Sequence, residues 1–320
     1  MNDEGLVFAY RLPRPSRALH WEDLDAAAAE GPIWLHLERT APPAVRWLRE
    51  RSGLDPVVVD ALLAEETRPR WATFGDGMVI ILRAVNLNPG AEPEDMVALR
   101  VWIDPRRLIT LRARRLVFAQ DVRDEIGGGN GPTTPAATLL RLVTRLVGRI
   151  GPVVDVLGDK IDEIETGIAE KPPRELRSGL AALRREAIAF RRYLSPQRDV
   201  FSRLCAEASD VFDQRTRLGL REAADAMIRH VEELDAARER AAVISEELVA
   251  AAAERMNRTM YVLSLVSTVF LPLGFITGLL GVNLAGIPGT ESPLAFQLLA
   301  GGLVALAFVE VLLFRRWRLL

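Results

Sequence analysis

The stretch MYVLSLVSTVFLPLGFITGLLGVNLAGIPG, residues 260–289, decides how the chain folds and where it works. Its first part has no charged side chain over about the length that a helix needs to cross a bilayer. It then enters a Gly/Pro-rich loop with a single amide, Asn283, and a second apolar run, residues 294–314, follows before Arg315, Arg316, Trp317 and Arg318. Leu, Ile, Val and Phe in the first run, at about −0.3 to −0.6 kcal/mol each, outweigh its Ser, Thr and Gly. The pair is expected to form a two-helix transmembrane hairpin joined to a large water-soluble body.

Flanking charge orients that hairpin. Arg255 and Arg258 precede it and the C-terminal arginines follow it, whereas the connection from residue 281 to 293 has no Lys or Arg and one acid, Glu291. Basic residues are retained on the cytoplasmic side. Both termini are therefore expected in the cytoplasm, with the protein in the cell (inner) membrane and the lipid bilayer as one of its partners.

Composition removes several function classes. Lys+Arg 41 against Asp+Glu 43 gives a formal charge of −2, so there is no basic excess for nucleic acid. The lone Cys205 excludes an intramolecular disulfide and a thiolate cluster, which suits a reducing compartment. The beginning, MNDEGLVFAYRLPRPSR, is acidic and lacks an apolar core of leader length. The soluble part shows no phosphate-cradling Gly-rich motif and no nucleophile motif, so no enzyme is expected.

Three segments are expected. Residues 1–132 form an α/β domain: LVFAYRL, PIWLHLE, GMVIILRAV, MVALRVWID and RLITLRA are strand-like runs, and PPAVRWLRERS and DPVVVDALLAEE have helical spacing behind Pro or Asp starts. His20 and His36 lie there as ordinary fold histidines. GGGNGPTTP, residues 127–135, marks a boundary. Residues 133–258 are helical: apolar positions from Leu139 to Ile168 recur at three-and-four spacing up to the KPP turn at 171–173, and Leu176, Leu180, Leu183, Ala187, Phe190 and Leu194 restart the period. This predicts an antiparallel hairpin whose far end carries a solvated acidic face, Asp155 to Glu170. Residues 259–320 are the transmembrane hairpin. The fold class is thus an α+β domain, a long-helix stalk and two spans.

No proline occurs from about residue 209 to Pro272, so one helix can run from the soluble part into the first span, roughly 100 Å at 1.5 Å per residue. Its apolar stripe, Val231, Leu234, Ala241, Ile244 and Leu248, is thin. Counting alternately by three and four along another face gives Glu222, Asp225, Arg229, Glu232, Ala236, Glu239, Val243, Glu246, Ala250, Ala253, Asn257, Met260, Ser264, Ser267, Leu271, Gly274, Gly278 and Gly281. The soluble portion of this face is acidic. The membrane portion, Asn257 to Gly278, is small or hydroxylated except at Met260 and Leu271. Several copies around an axis would turn it into a narrow path, with Glu232, Glu239 and Glu246 attracting cations at its mouth. Close packing of membrane helices uses the same residue types, so the stripe alone leaves both readings open.

GVN at 281–283, after a Pro-containing span and before a short loop and a second span, resembles the G-x-N signature of the CorA superfamily of divalent-cation transporters. GIPG at 286–289 and the Val inside GVN are similar to the ZntB zinc-transporter branch; the magnesium branch usually has Met there. The segments RPRWATFGDGMVIILRAVN, residues 68–86, and FRRYLSPQRDVFSRL, residues 190–204, extend the resemblance over nearly the whole chain. It implies a homopentameric funnel with a pore lined by the first span, a selectivity filter of Gly281, Val282 and Asn283, and proton-coupled movement of zinc.

Physical chemistry is compatible with that filter. From Met260 through Asn283 there is no Asp, Glu, His or Cys, so a bare divalent ion would find no hard or soft anionic ligand. Amide oxygens of Asn283 can accept hydrogen bonds from water already bound to the ion. Gly281 permits a tight backbone there, Val282 is a packing residue, and Glu291 either concentrates cations or is a solvated loop acid. Pro272 bends the first span, and Glu310 in the second span is expected to reach the interface or pair with Arg315. No cofactor is expected; the divalent cation, with zinc favoured, is cargo. The alternatives are a magnesium or cobalt channel of the same superfamily and a membrane-anchored sensor or scaffold.

Overall fold

In the computed structural model, which describes residues 5–65, 67–169, 172–206, 211–282, 289 and 292–316, the β-branched and aromatic runs become strands. They are β1 (Leu6–Arg11), β2 (Arg17–Ala18), β3 (Ile33–Glu38), β4 (Arg70–Phe74), β5 (Gly77–Ala84), β6 (Val97–Ile103) and β7 (Arg107–Arg112). They form one sheet in the order β2-β1-β3-β7-β6-β5-β4. Only the β3–β7 pair is parallel; the other pairs are antiparallel.

Strand alternation explains the two faces of the sheet. Ile33, Leu35 and Leu37 join Val79, Ile81, Ile109 and Leu111 in one apolar cluster. Helices α1 (Leu24–Glu30), α2 (Pro42–Glu50) and α3 (Pro56–Leu63) add Leu24, Trp47, Leu48, Val58 and Leu62 to it. Pro begins α2 and α3, and the Asp55 carboxylate caps α3 by accepting from Val57 N–H at 2.8 Å. The opposite face carries Phe8, Trp34, His36 and Thr110. Arg123 of α4 (Val117–Gly127) lies over the Phe8 ring, 5.8 Å from its centroid.

His36 is a fold histidine, fully buried and stacked on Phe8 at 4.7 Å between centroids. The Thr110 hydroxyl donates to the Leu35 carbonyl at 3.0 Å, so it must accept from both Trp34 Nε1 and His36 Nδ1. That places the imidazole proton on Nδ1. Burial first, and then Arg112, lower the His36 pKa to about 3.

The helical part differs from expectation in one respect. The run from Leu139 to Ile168 is two principal helices, α5 (Pro135–Gly148) and α6 (Gly151–Thr166). Pro152 lacks the N–H that a continuing helix would need, so it starts the second helix. Helix α7 (Pro173–Ala206) returns along α6, burying Leu176, Leu180, Leu183, Ala187, Phe190 and Leu194 as the period predicts. The acids of α6 are exposed as expected, with Asp162 and Glu165 paired to Arg240 at the surface.

Helix α8 (Gln214–Leu280) is the long helix and α9 (Ala295–Arg316) the second apolar one. Gly219 lets α8 approach α5 closely, since a Cβ there would lie 2.6 Å from Leu140 Cδ1. Contacts divide the chain into two units, Met1–Ser245 and Glu246–Leu320. The glycine-rich break at 127–135 falls inside the first.

Candidate functional site

The candidate site is a face of α8, built from strong helix formers before residue 260 and apolar residues after it. In the first unit Val231, Leu234, Ala241 and Ile244 are buried. Glu222, Asp225, Glu232 and Glu239 are exposed on the other side. Two neighbouring acids have partners: Asp235 pairs with Arg191 at 2.6 Å, and Glu233 lies 3.1 Å from His230 Nδ1. Among the described residues none of the acids on the predicted face has an ion pair. Their charge is therefore left for mobile cations, screened only by solvent and salt.

In the second unit Glu246, Asn257, Met260, Ser264, Ser267, Leu271, Gly274, Gly278, Gly281 and Val282 are all exposed in the single chain. Phe270 and Phe275, on other sides of the same helix, are exposed too, at 68% and 70%. What distinguishes the face is therefore its chemistry: hydroxyls, one amide and Cβ-free backbone.

Of the two serine hydroxyls on the face, that of Ser267 is ordered, as is that of Thr268 beside the face. Ser267 Oγ donates to the Leu263 carbonyl at 2.8 Å and Thr268 Oγ1 to the Ser264 carbonyl at 2.8 Å. Each hydrogen is spent inside the helix, which leaves oxygen lone pairs outward as acceptors. Water around a cation points its hydrogens away from the ion, so such a wall suits a hydrated cation.

Thr277 was not singled out by the sequence pattern. Its hydroxyl donates to the Leu273 carbonyl at 2.9 Å, and its own carbonyl accepts from Gly281 N–H at 2.9 Å, closing the last turn before the motif. A Cβ on Gly281 would lie 3.0 Å from that carbonyl oxygen, so glycine suits the closure. The signal was a Thr placed four residues before a helix-ending Gly. Pro272 lies inside α8 and leaves the Thr268 carbonyl without its usual amide partner.

Asn283 and Glu291 lie outside the described residues. Among the described residues Glu310 makes no ion pair with Arg315, which leaves the interface as the other expectation, and its Oε2 is buried without a hydrogen-bond partner. Cys205 is half-buried, and burial raises its thiol pKa, so it is poorly suited to act as a thiolate ligand at neutral pH. Among the described residues no three His, Cys, Asp or Glu side chains gather as a coordination shell.

Both α8 and α9 are long and apolar enough to cross a membrane. A sequence profile of the CorA-like Mg2+ transporter proteins matches residues 29–316. The divalent cation transporter CmaX of Pseudomonas aeruginosa is 40% identical over 328 residues, covering 99% of this chain and 97% of that protein. The zinc transport protein ZntB of Pectobacterium carotovorum is 38% identical over 298 residues, 92% of this chain and 90% of the relative. The solved full-length CmaX structure superposes with a TM-score of 0.84 at 36% identity, covering 99% of each chain. The CorA magnesium transporter of Methanocaldococcus jannaschii shares the fold, with a TM-score of 0.82 at 18% identity over 97% of each chain.

Proposed function

Since the chain belongs to the CorA-like family of divalent-cation transporters, we propose that it carries hydrated zinc through a five-fold pore lined by the first span of each copy. Five copies would bring the unpaired acids of α8 together at the cytoplasmic mouth, and the Ser264 and Ser267 face along the path. The cation would be selected at rings of Gly281, Val282 and Asn283, with Asn283 amide oxygens accepting from ion-bound water. Retaining the water shell avoids the dehydration cost that a charged site would have to offset. The weak outer-sphere contact also lets the ion leave.

One observation carries this reading: Glu222, Asp225, Glu232, Glu239 and Glu246 share one exposed face of α8, and none of them has an ion pair among the described residues. An anchor for a sensor would have no use for such a face. Zinc is favoured by GVN with Val282, by GIPG, and by relatives named as zinc transporters. Proton coupling, cytoplasmic termini and placement in the inner membrane belong to the same proposal.

Purified protein in liposomes tests it. Zinc uptake that rises with an inward proton gradient is expected, and Asn283→Ala should abolish selective uptake while leaving the oligomer intact. Selective uptake by that variant would refute the filter assignment. Flux of magnesium or cobalt without zinc would favour the channel alternative.

A further inference from the structure

A second site lies in the first unit, away from the α8 face. Arg100 on β6 is in register with Ile81 of β5, two residues before Arg83, so both guanidinium groups rise from the sheet face that carries α3. Arg39, just past β3, joins them. Together they hold the chain leaving α3: Arg39 Nη1 donates to the Leu63 carbonyl at 2.8 Å, Arg100 Nη2 to those of Ala64 at 2.8 Å and Glu65 at 3.1 Å, and Arg83 Nε to that of Thr67 at 3.2 Å.

These bonds do not satisfy the cluster. Arg100 is 2% exposed, yet its Nε and Nη1 have no hydrogen-bond partner, and neither has Arg39 Nε. Neither Arg39 nor Arg100 makes an ion pair with a carboxylate among the described residues. A buried guanidinium without a counter-ion is costly, since water that would otherwise solvate it is excluded. Burial, and then the charges of Arg39 and Arg83, lower the Arg100 pKa to about 10, so it stays cationic at neutral pH.

A cavity of about 300 Å³ opens onto the cluster, lined by Arg39, Arg83, Arg100 and the exposed Arg114. Glu65, Glu94 and Asp95 share its wall, so among the described residues four guanidinium groups face three carboxylates. We propose that this cavity is a binding site for a small phosphoryl-bearing anion. Planar guanidinium donors match the tetrahedral oxygens of a phosphate, and Arg39 and Arg100, which have no carboxylate partner among the described residues, give that anion its counter-ions. The three acids disfavour a bulky polyanion and restrict the site to a compact ligand. A ligand here would also brace the carbonyls after α3, through the same arginines that hold them.

The test is calorimetric titration of the full-length protein in detergent with inorganic phosphate, AMP and acetate at matched ionic strength. Saturable binding of phosphate or AMP at one site per chain, and none of acetate, is expected. AMP binding tighter than phosphate would identify a nucleotide source, and the reverse a free phosphate; both support the site. Arg100→Gln should abolish binding, and because Arg100 also holds backbone, Arg114→Ala is the control that spares those bonds. Arg114→Ala should weaken binding about 3- to 10-fold, as loss of one exposed charge contact does. Absence of saturable phosphate and AMP binding up to about 10 mM, weaker than ordinary metabolite affinities, would overturn the proposal. So would binding that a folded Arg114→Ala and a folded Arg100→Gln both leave unchanged.

Discussion

The two units treat apolar residues in opposite ways. Met1–Ser245 hides them: Trp34, Leu35, Leu37, Phe190 and Phe201 are almost wholly inaccessible, and the polar groups beneath the surface mostly have partners. Glu246–Leu320 is the more apolar stretch, yet Phe270, Leu271, Phe275, Phe296, Leu298 and Val304 are between 68% and 79% exposed in the single chain. In water such a surface would be an aggregation hazard. The first unit is folded by its own core, while the second leaves its apolar side chains without cover in the single chain.

The sharpest way to break this contrast is to delete a phenylalanine from each unit. Phe190→Ala, at a fully buried position of α7, should cost about 3–5 kcal/mol in urea unfolding of the detergent-solubilised chain. Phe275→Ala, at 70% exposure, should leave that transition in place. Fluorescence reports mainly on the first unit, because five of the six tryptophans, Trp21, Trp34, Trp47, Trp71 and Trp102, precede residue 245 and Trp317 alone follows it. A comparable loss from Phe275→Ala would mean that the second unit helps hold the first together.

A next-smaller effect comes from acid. His36 has its folded pKa lowered to about 3 from 6.5, so the unfolded chain binds one more proton between those values. Its stabilising contribution is complete above pH 6.5 and is lost as pH falls toward 3, at roughly 1.4 kcal/mol per pH unit. Unfolding at pH 5 should therefore be easier than at pH 7.5 by about 2 kcal/mol from this group. His36→Gln should flatten the pH dependence by one proton. If the slope is unchanged, another group is responsible.

These expectations follow from a fold that was largely legible. β1, β3, β5, β6 and β7 were visible as β-branched runs, and the buried positions of α7 fell on its predicted period. The pattern missed α1, whose DAAAAE core has no periodicity, and β4, whose RWATF is short and half-exposed at the sheet edge. The α8 face was readable because helical spacing is local. Which of its acids lack a partner was not readable, because Arg191 and Arg240 answer to Asp235, Asp162 and Glu165 across helices. The arginines after α3 were hidden for the same reason: Arg39, Arg83 and Arg100 meet only through sheet register.

Flux separates the conduit reading of α8 from simple packing. Ser267→Leu should lower zinc flux about 10-fold, by removing an outward acceptor and narrowing the path. Val262→Ser, on the far side of the helix from Ser267 and 51% exposed, should change it far less. Equal effects would assign Ser267 to helix packing.

The smallest expected effect sharpens the comparison from inside the first unit, where satisfaction of buried polar groups is incomplete. Burial raises the Glu186 pKa, the nearby Glu94 and Glu92 raise it further, and Lys160, 4.0 Å away, only partly opposes them. A carboxyl with a raised folded pKa binds its proton more tightly folded than unfolded. Its contribution therefore favours folding at low pH and is lost as pH rises through the folded value. At neutral pH the charged form is a cost, which Glu186→Gln removes along with the weak Lys160 pair. Solvent screening at this partly exposed position reduces the net gain to about 0.5 kcal/mol or less. The gain should vanish below about pH 4, where both states of the wild-type carboxyl are protonated. Urea unfolding of the two proteins at pH 7.5 and pH 4 measures the difference. A Glu186→Gln variant that is less stable at pH 7.5 would mean that the Lys160 pair outweighs burial.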